Sequence, residues 1–201
     1  MTAPGVADHT KGSQDRLFKW IAAVAAACLV GFVVFVIARG SPHHATVSSA
    51  ALEVPPPPVL HAGTTAPSFS LPALQGSSPI VLSDFRGKPV IVNFFASWCR
   101  DCRAELSAMA RVAGATSGRL TVIGVDSNET SIATAQQLLA AVGATYPIAV
   151  DAQAKVASQY LVQALPVTYF LNRSGQVVGT ALGPQSATSL EHWAARLGVA
   201  G

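Results

Sequence analysis

The sequence predicts an α/β fold: a mixed central sheet flanked by helices, preceded by one apolar segment of membrane-spanning length. Three observations carry this. Two near-continuous apolar runs rich in β-branched residues, 89–95 and 120–125, read as strands buried on both faces, as in a parallel sheet. Apolar residues at helical spacing follow each run. The last part of the chain closes with a hairpin pattern and a final helix, which makes the sheet mixed rather than purely parallel.

The elements run in this order. Residues 1–19 are polar and carry Lys11, Arg16 and Lys19 against Asp8 and Asp15. Residues 20–38 form an uncharged stretch of 19 residues ending at Arg39. At ~1.5 Å per residue this reaches roughly 28 Å, enough to cross a hydrocarbon core. It is longer than a signal-peptide apolar region, usually about 7–15 residues, so an uncleaved anchor is expected. Ser48-Ser49-Ala50 is the small-residue site that a cleaved signal would use instead. Three cationic side chains precede the stretch and only Arg39 lies close after it, which puts the N-terminus in the cytoplasm and the rest outside the membrane. Cys28 lies within the apolar stretch without a lipobox before it and reads as a packing residue.

Residues 39–59 read as a linker in which Pro55-Pro56-Pro57-Pro58 favours stiff polyproline II. Residues 60–201 are 142 residues, about one ordinary domain. Within them a short hairpin is expected from 68–71 and 80–82 across Gln75-Gly76-Ser77. A strand at 89–95 leads into a helix from 99 to about 113, with Gly114 as its stop. A strand at 120–125 is followed by a helix at 131–141, capped by Asn128 or Thr130 and ended by Gly143. A short strand at 148–150, a helix at 152–160, a hairpin of 167–171 with 176–181 and a helix at 186–197 complete the pattern. Asp126, at a strand end, is expected to do turn or capping work; its alternative is a place near the site.

Composition excludes several classes. With 50% apolar and 11% charged residues the chain is too hydrophobic for full disorder. A net charge of +3 without a dense basic patch argues against nucleic-acid binding, which needs clustered cations. Three cysteines are too few for a disulfide-dense scaffold. No metal site is expected, since there is no second CxxC, no histidine at finger spacing, and His43-His44 stand alone in the linker. No cofactor is implied. Asn128-Glu-Thr130 and Asn172-Arg-Ser174 match the glycosylation pattern, but such triplets arise often by chance.

The chemistry concentrates at Trp98-Cys99-Arg100-Asp101-Cys102. This pair comes directly after a buried strand and opens a helix. A helix N-terminus carries unpaired N–H groups and about half a positive charge. A thiolate there is stabilised, which lowers the first thiol below the ordinary ~8.5. The second cysteine lies one turn in, placed to resolve a mixed disulfide. CxxC in this strand-to-helix setting points to redox exchange. Structural zinc, inert thiols and a purely structural disulfide are the competing readings, and a two-residue gap closes almost no loop.

Several motifs extend beyond the pair. They are Ala66-Pro-Ser-Phe-Ser-Leu71, Leu82-Ser-Asp-Phe-Arg-Gly-Lys88, Val92-Asn-Phe-Phe-Ala-Ser-Trp-Cys99, Tyr146-Pro-Ile-Ala-Val-Asp151 and Leu165-Pro-Val-Thr-Tyr-Phe-Leu171. On these the domain resembles the TlpA/ResA-like thiol-disulfide oxidoreductases, in the redoxin branch of the thioredoxin superfamily. The resemblance implies a thioredoxin-like fold, with Cys99 as nucleophile and Cys102 as resolving cysteine of a redox-active disulfide. It implies a cis-proline at Pro166 facing the pair, with backbone groups at Leu165 offered to substrate. Glu105 matches an acidic position near the active site, suited to proton handling and thiol tuning; its alternative is a first-turn acid favoured by the helix dipole. Trp98 is equally a packing or a substrate-contact residue. Asn93 stands where cytosolic thioredoxins carry a buried Asp. Two departures stand out: Asp101 replaces a common Pro, and Ala164 a common Gly.

The resemblance implies reduction of specific protein disulfides, often on apocytochromes c, with a membrane thiol reductase as electron donor. The opposite direction, an oxidase forming disulfides in secreted proteins, uses the same pair. A peroxiredoxin is disfavoured because Val92 and Ala96 occupy the Pro and Thr/Ser places of the peroxidatic pattern. A thioredoxin-like binding module without turnover would not need both thiols.

Overall fold

A computed structural model describes residues 19–20, 24–25, 28–29, 31–35 and 56–199. The described residues within the expected 20–38 span are helical and exposed. Its other positions, most of 1–19 and nearly all of the 39–59 linker lie outside the described residues. Among the described residues no helix is long and apolar enough to cross a membrane. Residues 55–201 form a unit of their own, separate from 1–54.

That unit is built on a five-stranded sheet in the order β5-β4-β3-β6-β7. The strands are β3 (Val90–Phe95), β4 (Thr121–Ser127), β5 (Ile148–Asp151), β6 (Val167–Leu171) and β7 (Val177–Leu182); β1 (Ser70–Leu71) and β2 (Ile80–Val81) form a separate antiparallel pair before them. β3, β4 and β5 run parallel, while β6 and β7 are antiparallel, giving the expected mixed sheet. The helices are α1 (Arg100–Ala115), α2 (Ile132–Ala141), α3 (Lys155–Gln159) and α4 (Ala187–Arg196).

All six β3 residues are buried because both faces of the sheet are covered. Strand alternation deals them out: Ile91 and Phe95 join a core with Leu106, Met109, Val112 and Leu190 of α1 and α4. Val90, Val92 and Phe94 join the opposite core with Val156, Tyr160 and Tyr169. Each sheet edge is covered in part by earlier chain. Along β7, Gly63 N donates to the Val177 carbonyl and Val177 N to the Thr64 carbonyl. Along β5, Leu74 N donates to the Ile148 carbonyl and Val150 N to the Pro72 carbonyl.

Four local expectations change. Gly114 lies inside α1, which runs on to Ala115; the chain turns instead through Ser117 (φ 49°) and Gly118 (φ 74°). A lone glycine costs a helix only about 1 kcal/mol, and the buried face of α1 carries it through. The cap of α2 is Ser131, whose side chain accepts from Thr134 N, rather than Asn128 or Thr130. The helix expected at 152–160 begins only at Lys155, because Asp151 caps it by accepting from Lys155 N at 2.9 Å and Ala157 N at 2.8 Å. Finally, β4 extends through Asp126, which pairs with Phe95 and Val150 inside the sheet and does no turn work.

Candidate active site

The site forms at the carboxyl ends of the parallel strands, where open α/β sheets leave a crevice. β3 ends at Phe95, and four residues later Cys99 caps α1, its Sγ accepting from Cys102 N at 3.2 Å. Cys99 and Cys102 are joined as a disulfide. Cys99 keeps 7% of its surface exposed and Cys102 none. An incoming sulfur therefore reaches the first cysteine and not the second.

Antiparallel pairing sets Phe94 against Val167. Pro166 thus enters the sheet opposite the end of β3, where the chain leaves for Cys99. The Leu165–Pro166 bond is cis. Trp98 is 52% exposed beside the pair, and its indole Nε1 donates to the Asn128 carbonyl at 3.0 Å. Trp98 is therefore held by the loop after β4 and still presents a face to solvent. Arg103 donates to the Ser97 carbonyl at 3.4 Å, and Arg100 and Asp101 are exposed.

Beneath α1 lies a buried polar group. Glu105 is 1% exposed, one turn past Cys102 on the same buried helix face. Its Oε1 accepts from Thr168 Oγ1 at 2.9 Å, and Thr168 Oγ1 accepts from Asn93 Nδ2 at 3.1 Å. Its Oε2 has no partner among the described residues. Burial raises the Glu105 carboxyl to about 7, and the polar groups around it, Thr168, then Asn93 and the Gln185 backbone, offset only part of that. Glu105 is thus no solvent-exposed first-turn acid but a buried group able to change protonation near neutrality. The Tyr146 hydroxyl is buried without a described partner as well; burial and then the Glu105 charge push it upward.

Two further acidic residues lie near the end of β4 and just after it, and only the first carries a signal in the sequence, its place at a strand end. Asp126 is fully buried, with neither carboxylate oxygen partnered among the described residues. Burial, then the charge of Glu129, raises it to about 7. Glu129 behaves oppositely. Partial burial pushes its carboxyl up, but backbone N–H donors outweigh this and hold it below the ordinary range. These donors are Ser97 at 2.8 Å, Thr130 at 2.7 Å and Ser131 at 2.8 Å. Through Ser97, Glu129 ties the loop after β4 to the residue two before Cys99. The signal for it was weak: an acid three residues after Asp126, whose meaning depends on a contact across 32 residues.

A cysteine pair at a strand-to-helix junction, the first cysteine slightly exposed and the second sealed, with a cis-proline leading into a neighbouring strand, defines a thiol–disulfide exchange protein of thioredoxin-like fold. Comparison with known proteins narrows this. The family model described as AhpC/TSA matches residues 62–180, and the chain belongs to that family. It is 32% identical to the thiol-disulfide oxidoreductase ResA of Bacillus anthracis over 130 residues, 64% of this chain and 74% of that protein. It is 30% identical to the thioredoxin-like protein YneN of Bacillus subtilis over 179 residues, 87% of this chain and 96% of that one. Among solved structures, a DsbF homologue from Corynebacterium diphtheriae matches with TM-score 0.62 and 26% identity, covering 70% of this chain and 92% of that one. A thiol:disulfide interchange protein from Chlorobium tepidum matches with TM-score 0.58 and 25% identity, covering 69% and 97%. The chain is a thiol-disulfide oxidoreductase of the ResA and DsbE type.

Proposed function

We propose that this protein is a membrane-anchored, extracytoplasmic reductase of protein disulfides, serving cytochrome c maturation or a related pathway. The observation that carries the exchange chemistry is the asymmetry of the pair: Cys99 is partly exposed at the helix start and Cys102 is sealed. Reduced Cys99, as thiolate, attacks one sulfur of a client disulfide. A Cys99–client mixed disulfide forms and one client thiolate leaves. Cys102 then attacks the Cys99 sulfur, expelling the second client thiolate and closing the Cys99–Cys102 disulfide. The client gains two electrons and the pair loses two; a membrane dithiol reductase restores them. Glu105 takes the Cys102 proton onto its unpartnered Oε2 as Cys102 becomes nucleophilic. Pro166 and the Leu165 backbone position the client segment, and Trp98 covers one flank of the site.

The relatives named ResA support the exchange activity. Exposed apolar side chains on the described N-terminal helical residues, among them Trp20, Leu29 and Phe32, support insertion into lipid. The direction of exchange is read by one measurement: the reduction potential of the Cys99–Cys102 pair, equilibrated against thiol buffers. A value near or below about −220 mV is expected and matches reducing proteins; a value near about −120 mV matches strong oxidants and makes the protein a disulfide-forming oxidase.

A further inference from the structure

Two cavities flank the Leu165–Pro166 bond. One, about 190 Å³, opens between Trp98 and Leu165 and reaches Ala157. The other, about 180 Å³, lies between Leu161, Leu165, Pro166 and Leu182. Gln163 is its one polar side chain, and a further wall comes from far away in sequence, from Pro57 and Pro58 of the Pro-rich segment. None of the residues lining this second cavity is charged. Leu161 and Leu182 are 40% and 48% exposed, so apolar surface faces water here.

The chain just after the two prolines holds their wall in place. Leu60 packs against the core on the α3 side of the sheet, and its carbonyl accepts from Thr180 Oγ1 of β7 at 3.4 Å. Gly63 N then donates to the Val177 carbonyl at 2.8 Å. Each proline has its φ fixed near −65° and no N–H to satisfy, so the wall stands with little ordering cost. Largely apolar walls, with Gln163 as the one polar side chain, and a volume near the ~150 Å³ that takes up a benzene-sized group suit one uncharged branched or aromatic side chain.

We propose that Pro57 and Pro58 form one wall of the client groove, and that this wall selects clients with a large apolar side chain flanking the reacting disulfide. The inference rests on the exchange reading above. It adds that the segment leading into the domain takes part in recognition rather than serving only as a spacer. The occupant is an extended client segment, since the cavity is continuous with Pro166 and hence with the site where the mixed disulfide forms.

The test uses the reduced full chain and two short peptides, each closed by one internal disulfide. They differ only in the residue beside the reacting cysteine, Leu in one and Ser in the other. The readout is the ratio of their second-order rate constants for reduction in a single turnover, within each protein variant. The native chain is expected to prefer the Leu peptide by ~10-fold, as filling an apolar pocket allows. In the Pro57→Gly/Pro58→Gly variant the ratio is expected to fall to about twofold or less. Leu182→Ser alters the opposite wall and is expected to lower the ratio too, so the inference stays testable if the double variant folds poorly. A ratio retained in both variants, even with slower exchange overall, overturns the inference, as does a native chain that prefers neither peptide. Failure of the exchange reading looks different: the native chain then reduces neither peptide.

Discussion

Glu105 shows how one buried carboxyl links acidity, stability and chemistry. Raised to about 7 by burial, it keeps its proton in the folded protein from the ordinary 4.5 up to neutrality, while the unfolded chain has already released it. The folded state then binds more protons, so stability is full below pH ~4.5 and falls as pH rises to about 7, by up to about 3 kcal/mol. Asp126, raised to about 7 as well, adds a slope of the same sign. Glu105→Gln is expected to remove roughly half of the decline, seen as urea unfolding free energies that fall less between pH 4.5 and 8. In the same variant, the inflection near pH 7 in the rate of mixed-disulfide resolution is expected to vanish. A variant with unchanged stability slope and unchanged pH–rate profile would remove Glu105 from proton transfer.

At the level of elements, the sheet face under α1 leaves almost no slack around α4. Trp193 lies flat on Phe170, ring centroids 4.1 Å apart and planes 8° from parallel, with Arg196 over its other side. This stack needs Gly179 on β7. A Cβ there would stand 2.1 Å from Trp193 Cη2 and 2.5 Å from its Cζ3. Gly179→Ala is expected to force Trp193 off Phe170 and cost about 1–3 kcal/mol in urea unfolding, as overpacking does; a loss under about 0.5 kcal/mol would show that α4 shifts freely. Nothing in the sequence marked Gly179 apart from other glycines, because its constraint comes from a helix later in the chain. The elements themselves were legible where period and caps agree. β3 has five apolar residues broken only by Asn93, and α1 starts where a cysteine can cap it. Asp126 failed for the opposite reason. A charged residue near the end of an apolar run reads as a boundary, whereas pairing with Phe95 and Val150 carries β4 past it. The site divides the same way. Cys99, Cys102, Glu105 and Pro166 lie in local motifs, while Asp126, Glu129 and Tyr146 matter only through register and a long-range loop contact.

For the whole molecule, the stretch between the Pro-rich segment and β2 decides where the redox unit can be cut. The cores on both sheet faces are filled from within residues 60–199. The edges depend on the first part of that range: residues 63–66 bond along and just before β7 and 72–74 along β5. Unpaired edges of this kind template association with other chains. A chain of residues 56–201 retains both covers. It is expected to be soluble, monomeric and cooperative in unfolding, while the full chain pellets with membranes and resists alkaline extraction. A chain of residues 76–201 keeps every strand of the main sheet yet bares β5 and β7. It is expected to lose Phe69, Ala66 and Leu74 from the cores and to aggregate, read as loss of the monomer peak in size-exclusion chromatography. If that shorter chain stayed monomeric and as stable as the longer one, the covers would be ornamental and the edges protected by something else. If the full chain stayed in the soluble fraction, the N-terminal segment would not be an anchor, and the exchange chemistry of the unit would stand without it.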